Sequence, residues 1–321
     1  LVHTGQHFDD NMSQIFFTEL AIPAPRFNLG VGGGSHAANT GRAMEAIEDL
    51  ILSEKPDWVL VYGDTDSTLA GGLAAAKLNV PIAHVEAGLR SFNRRMPEEI
   101  NRVLVDHLSA KLFTPSQAAV DNLAREGITG DSVAQVGDVM FDAVLTFTEV
   151  AREKSTALAD LGLDEGSYVL STLHRKENTD DRERLASILD GFAMSGATVV
   201  LPLHPRTRKM LAEFGLSVPA NVRIVDPVGY LDMMMLQRSA RLIATDSGGM
   251  QKEAYFHGVP CVTMRDETEW VELVDLGVNQ LVGADGAAIA AAIENARPVE
   301  TDRSVYGDGR TAAKVADLLV G

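Results

Sequence analysis

The chain holds one cysteine, Cys261, in 321 residues. A lone cysteine makes neither an internal disulfide nor a thiolate metal site, so stability must come from core packing. Cys261 lies in Val259-Pro260-Cys261-Val262-Thr263, which reads as a buried strand. Cations are also scarce: 28 Lys plus Arg, only eight of them Lys, face 45 Asp plus Glu, leaving a net charge of −17. That field repels nucleic-acid phosphates and anionic lipid surfaces and excludes a general DNA or RNA binder. No apolar run approaches the ~20 residues of a membrane span, and no basic segment followed by an apolar one opens the chain as a secretory leader would. A cytoplasmic protein with neither a membrane nor a nucleic-acid partner is expected. The sequence also lacks a repeat of fixed period and any low-complexity tract.

What is present is globular: 45% of residues are hydrophobic and 23% charged. The length is about twice that of a typical domain of ~150 residues, which predicts two domains. Leu1-Val2-His3-Thr4-Gly5 reads as the end of a strand, so further sequence is expected before Leu1.

Short apolar runs alternate with amphipathic stretches, the pattern of a doubly wound α/β fold with parallel sheets. Strands are predicted at 58–62, 81–85, 112–114 and 133–136, with helices at 67–78, 98–108, 117–126 and 139–149. The pattern restarts with strands at 168–173, 198–203, 222–225, 242–245, 261–264 and 280–282. Helices are predicted at 181–193, 206–214, 231–238, 250–257, 287–295 and 310–320. The weakest sheet signal, with a glycine breaker cluster, lies at 150–166. The domains are therefore read as residues 1–152 and 153–303, their strand ends expected to open on one crevice.

Thr245-Asp246-Ser247-Gly248-Gly249 sits between a strand and a helix. It reads either as a phosphate site at a helix N-terminus or as a turn with a capping serine. Glu253, further into that helix, faces either a ribose or solvent. Asp64 and Glu86 end successive strands and Glu98 opens a helix. Each alone suits a cap or a dipole partner; together, on one sheet edge, they suggest acid–base chemistry. His174 and His204 also end successive strands, each followed closely by Arg, a pattern suited to anionic groups. No metal is expected, because the thiolate cluster is missing and nothing requires a cation at Asp64 and Asp66. Gly30-Val31-Gly32-Gly33-Gly34-Ser35 lacks the last glycine of a dinucleotide fingerprint, and Asp64 follows Gly30 by 34 residues where ~20 are needed. Gly-x-Ser-x-Gly is absent, so no hydrolase triad is indicated.

Taken in order, Thr4-Gly5-Gln6-His7, Gly63-Asp64-Thr65, His84-Val85-Glu86-Ala87-Gly88-Leu89-Arg90, Pro97-Glu98-Glu99 with Asn101-Arg102, His174-Arg175, Asp246-Ser247-Gly248-Gly249 with Gln251 and Glu253, and Tyr306-Gly307-Asp308-Gly309 resemble the non-hydrolysing UDP-N-acetylglucosamine 2-epimerases. The resemblance spans nearly the whole chain. It implies two Rossmann-like domains of the GT-B kind with a UDP-sugar in the cleft between them, residues 304–321 packing back on the first domain, a homodimer and no cofactor. It implies Asp64, Glu86, Glu98 and His174 as the catalytic group. It further implies Ser247, Gly248, Gly249 and Arg265 on the diphosphate, Glu253 on the ribose, and Arg102, His204, Gln6 and His7 as further substrate contacts. The implied reaction eliminates UDP to 2-acetamidoglucal and adds it back, interconverting UDP-GlcNAc and UDP-ManNAc in a pathway to cell-surface polysaccharide.

The sequence departs from the family in three places. The family's Gly-Thr-Arg-Pro-Glu loop would precede Leu1. The stretch 32–40 lacks the Gln and Arg of substrate-activated members, so little such activation is expected. Thr268-Glu269-Trp270-Val271-Glu272 stands where Thr-Glu-Arg-Pro-Glu is usual, opening the way to a related sugar. The rival readings are a hydrolysing epimerase, an epimerase of a UDP-diacetamido-uronic acid, a GT-B glycosyltransferase and a non-catalytic UDP-sugar-binding module.

Overall fold

A computed structural model of the chain describes residues 1–6, 17, 19–298 and 303–321. Two compact units emerge, Leu1–Asp142 with Ser304–Gly321, and Ala143–Arg303.

In the first unit, β1 (Val2–His3) pairs in parallel with β2 (Phe27–Asn28). Helix α1 (His36–Glu54) leads to a second parallel sheet of β3 (Val59–Tyr62), β4 (Ile82–Val85), β5 (Lys111–Thr114) and β6 (Val133–Gln135), in that order. The crossovers are α2 (Asp66–Lys77), α3 (Pro97–Leu108) and α4 (Gln117–Arg125). The chain divides within α5 (Val139–Lys154), between Asp142 and Ala143. Helix α1 was not among the expected elements. Its buried positions Ala43 and Ile51 are spread among alanines and acids, which dilutes the apolar period. The overlooked sign was Ser35, whose side chain accepts the Ala38 N–H as an N-cap.

In the second unit, α6 (Ala157–Asp160) precedes β7 (Val169–Thr172), α7 (Lys176–Thr179), α8 (Arg182–Ser195), β8 (Val199–Pro202), α9 (Pro205–Phe214) and β9 (Val222–Val225). Then come α10 (Tyr230–Ser239), β10 (Leu242–Thr245), α11 (Gly248–His257), β11 (Cys261–Thr263), α12 (Val271–Asp275), β12 (Asn279–Leu281) and α13 (Gly286–Asn295). The six strands are parallel in the order β12-β11-β10-β7-β8-β9. The chain thus runs outward from β7 and returns to its other side at β10, which creates a topological switch point between the two strands. One apolar cluster joins Leu185, Ile188 and Phe192 to Ile289 and Ile293, and another gathers Tyr168, Leu236, Met250 and Ala254 around β7 and β10. Cys261 is buried in the second of these, and burial pushes its thiol up to about 12.

The last helix, α14 (Thr311–Val320), is tied within the first unit: Thr311 N and Ala312 N donate to the Asp142 carboxylate at 3.0 and 2.8 Å. Val315 joins Val85, Phe113 and Val136 in one apolar cluster. Among the described residues no helix is long and apolar enough to cross a membrane.

Candidate active site

Parallel strands end level with one another, so loops that follow adjacent strands are brought to one edge. In the first unit β3 and β4 pair with Tyr62 opposite Val85, which sets Gly63-Asp64 beside Glu86. Asp64 is not the cap of α2: Thr65 is, its side chain accepting the Thr68 N–H. Instead the Asp64 carboxylate receives Arg102 through Nε at 3.0 Å and Nη2 at 2.6 Å, a forked, charge-assisted contact with a nearly buried guanidinium. Glu86 has φ +72°, a left-handed backbone that costs a non-glycine residue about 1–3 kcal/mol and marks functional sites. Gly63 is favoured as glycine on two counts: its φ is +60°, and a Cβ there would lie 3.2 Å from Glu86 Oε2, a tight contact.

Helix α3 opens with Pro97 and carries two acids in its first turn. Glu99 is buried and accepts Ser91 N at 2.9 Å, Phe92 N at 3.0 Å and Arg102 Nη1 at 3.1 Å, so it anchors the preceding loop. Glu98, half-buried, is the neighbour about 100° around the helix. Gln6 braces the start of α2, its Oε1 accepting Ser67 N at 3.1 Å and Ser67 Oγ at 2.7 Å. His7 lies outside the described residues.

In the second unit the expected residues gather at the C-terminal ends of the strands around the switch point. Sequence reasoning assigned no role to Asp246, yet it organises this edge. Fully buried at the end of β10, its carboxylate accepts His174 N at 3.1 Å, Arg175 N at 3.0 Å and Asn178 Nδ2 at 3.2 Å. An acid ending a strand at a switch point was the available signal. The His174 ring lies 5.8 Å from that of His204, centre to centre. His204 Nδ1 accepts Arg206 N at 3.1 Å and caps α9. Burial lowers the His204 pKa, and His174 and Arg206 add to the effect, so its neutral form is favoured.

Ser247 caps α11 with a long 3.5 Å contact to Met250 N. The capping and phosphate readings are thus compatible, since an α-helix leaves its first N–H groups without intrahelical acceptors, here at Gly248 and Gly249. Arg265, expected on a diphosphate, is held by Glu269, Nη1 to Oε2 at 2.9 Å, with both side chains buried. Glu269 was singled out only as part of the stretch 268–272, with no role of its own. It lies against the helix start, where a Cβ on Gly248 would come 2.6 Å from its Oε1. Gly248→Ala is therefore expected to displace Glu269 and weaken binding of a phosphate-bearing ligand at this helix start about tenfold, or ~1.4 kcal/mol, by calorimetric titration; unchanged affinity would show that this approach is immaterial. Glu253 does not face solvent: it is buried and accepts Gln237 Nε2 at 2.7 Å. Burial raises its pKa, partly offset by Gln237, Lys252 and Tyr230. Among the described residues no group of three or more His, Cys, Asp or Glu is placed to hold a metal ion.

Parallel α/β units with a glycine helix start at a switch point suit a phosphate-bearing ligand, and carboxylates at adjacent strand ends suit acid–base chemistry, which together describe an α/β enzyme acting on such a ligand. A family model described as UDP-N-acetylglucosamine 2-epimerase matches residues 1–320. The chain is 52% identical over 326 residues to UDP-2,3-diacetamido-2,3-dideoxy-D-glucuronate 2-epimerase of Pseudomonas aeruginosa, covering 99% of this chain and 90% of the relative. It is similar to the crystal structure of the Methanocaldococcus jannaschii UDP-GlcNAc 2-epimerase in complex with UDP-GlcNAc and UDP, with 43% identity, TM-score 0.91, and coverage of 99% and 90% of the two chains. The UDP-GlcNAc-bound Neisseria meningitidis UDP-GlcNAc 2-epimerase matches with TM-score 0.86 at 29% identity, over 98% and 90% of the chains. The chain belongs to the UDP-N-acetylglucosamine 2-epimerase family and is an epimerase with the Rossmann-like units of the GT-B fold. The glycosyltransferase and binding-module readings are set aside.

Proposed function

We propose that this enzyme interconverts UDP-GlcNAc and UDP-ManNAc. The carrying observation is the pair of strand-end carboxylates, Asp64 forked by Arg102 and Glu86 held in a left-handed backbone over Gly63. The C2 hydrogen of the sugar has no adjacent carbonyl to acidify it, so direct deprotonation is prohibitive. Elimination solves this: the C2–H electrons form the C1–C2 double bond of 2-acetamidoglucal as the C1–O bond breaks onto departing UDP. Re-addition returns UDP to C1 and a proton to the other face of C2, with no redox cofactor. Asp64, Glu86 and Glu98 supply the acid, the base and the counter-charge for the cationic transition state, with His174 beside the sugar and phosphates. Ser247, Gly248, Gly249 and Arg265 take the diphosphate and Glu253 the ribose, while Arg102, His204, Gln6 and His7 are assigned as further contacts. Incubation with UDP-GlcNAc in D₂O tests the reading by NMR. The expected product is UDP-ManNAc deuterated at C2; free N-acetylmannosamine would mark a hydrolysing enzyme, and no turnover would sink both.

A second substrate, UDP-2,3-diacetamido-2,3-dideoxy-glucuronate, is favoured by the Trp270-Val271 departure. Trp270 is buried, with the fully buried Lys252 Nζ 4.0 Å from its ring centroid. The Pseudomonas aeruginosa relative named for this sugar nucleotide, 52% identical over 326 residues, supports the reading. Competition of the two sugars for one enzyme preparation decides which has the higher kcat/KM.

We assign the enzyme to the cytoplasm, to cell-surface polysaccharide synthesis, and to a homodimer. Ile100, Leu104 and Leu108 of α3 are 41%, 43% and 38% exposed at four-residue spacing, an apolar stripe suited to a second copy. Leu104→Glu is expected to convert a dimer to a monomer by light scattering with unchanged circular dichroism; a monomeric parent would refute the assignment.

A further inference from the structure

We propose that His84 is a positioning residue: a buried, doubly protonated imidazolium that ties the Gly63 carbonyl to Asp106 and so fixes the backbone carrying Asp64 and Glu86. This inference rests on the reading of those two carboxylates as catalytic. His84 lies on β4 with no solvent exposure. Both ring nitrogens face acceptors, Nδ1 to Asp106 Oδ1 at 2.7 Å and Nε2 to Gly63 O at 2.8 Å. A neutral imidazole has one N–H and would set a lone pair against one of these oxygens; only the charged ring donates to both.

The surrounding charges favour that cation. Asp106 reaches it from α3 and Glu86 from the end of its own strand. The other oxygen of Asp106 is occupied by Gly88 N at 3.1 Å and Arg90 Nη1 at 2.6 Å. Arg90 in turn forks onto Glu126 at 2.7 and 2.8 Å, and Glu126 meets His107 at 2.9 Å. Charges therefore alternate along the chain of contacts, and neither the buried ring nor the buried carboxylate is left uncompensated. Burial acts to lower the His84 pKa, but Asp106, the Gly63 carbonyl and Glu86 outweigh it and the net shift is upward from 6.5. The charged form is thus present at low pH and is lost as pH rises through a value above 6.5.

The clamp acts where the site is assembled. Gly63 N donates to Val85 O at 3.0 Å while its carbonyl accepts His84, so the residue before Asp64 is held at both polar groups. The Asp64 carbonyl is held separately by Asn101 Nδ2 at 2.9 Å. Misplacement of a reacting group by about 1 Å can cost about 100-fold in rate.

Two measurements on the full chain test the proposal. Ring-nitrogen NMR of ¹⁵N-histidine protein, with the His84 signals assigned by their loss in His84→Gln, is expected to show both nitrogens protonated at pH 6.5, the ordinary imidazole midpoint; a single N–H there would overturn it. This reading uses no substrate, so it is independent of whether UDP-GlcNAc is turned over. With UDP-GlcNAc, His84→Gln, whose amide donates at one end only, is expected to lower kcat about 10–100-fold with KM within about threefold. Asp106→Asn is expected to move the alkaline fall in kcat to lower pH. A folded variant with unchanged kcat, or an alkaline limb that Asp106→Asn leaves in place, would show a structural role only.

Discussion

Asp64→Asn is expected to lower kcat by about 10²–10⁴-fold, the range typical of losing a positioned acid or base. Asparagine keeps the shape and accepts a hydrogen bond from Arg102, but it neither carries a proton nor counters a developing positive charge. The loss should fall on kcat more than on KM, because the missing interaction is made mainly in the transition state. Stability should fall less, by about 1–3 kcal/mol, since one charge-assisted contact to a buried guanidinium is weakened while Glu99 still holds Arg102 Nη1 at 3.1 Å. Steady-state kinetics beside thermal unfolding separates the two effects. A variant within about threefold of the parent in kcat would remove Asp64 from the catalytic group.

Asp246→Ala is expected to have the largest effect on the second unit. Its carboxylate is fully buried and receives two backbone N–H groups from the loop after β7 and the Asn178 side-chain amide from α7. Alanine leaves those donors facing a void, and each unsatisfied buried donor costs about 1–3 kcal/mol. A loss of about 3–5 kcal/mol is expected in the unfolding transition of this unit by urea denaturation, consistent with removing one partner from a buried charged network. UDP affinity should fall more than about tenfold, because His174 and Arg175 lose the group that fixes their backbone. Asp246→Asn, which keeps the oxygen but turns an amide toward one donor, should fall between the parent and Ala. Parent-like stability in Asp246→Ala would show that water satisfies the loop.

Legibility followed the range of the interaction. Elements with a clear apolar period, such as β4, β10 and α3, were placed within a residue or two because period and breaker residues are local. Helix α1 escaped because a helix whose buried face is partly alanine carries little periodic contrast. Asp64, Glu86, His174 and His204 were legible as candidates from their place at strand ends, since parallel strands bring such ends to one edge. What each carboxylate touches was not. Asp64 meets Arg102 across 38 residues of chain, and Asp246 meets His174 across 72. Glu269 lies against Gly248, and His84 meets Asp106 across 22 residues.

The sequence by itself therefore determined the class of fold and the residue types available at each strand end, both of which depend on local pattern. Only the tertiary structure decided which acids are buried braces and which carry open roles, that Arg265 is already paired, and that His84 bonds acceptors on both sides. The physical reason is that hydrogen bonding and desolvation act over about 3 Å in space, a distance that sequence separation does not measure.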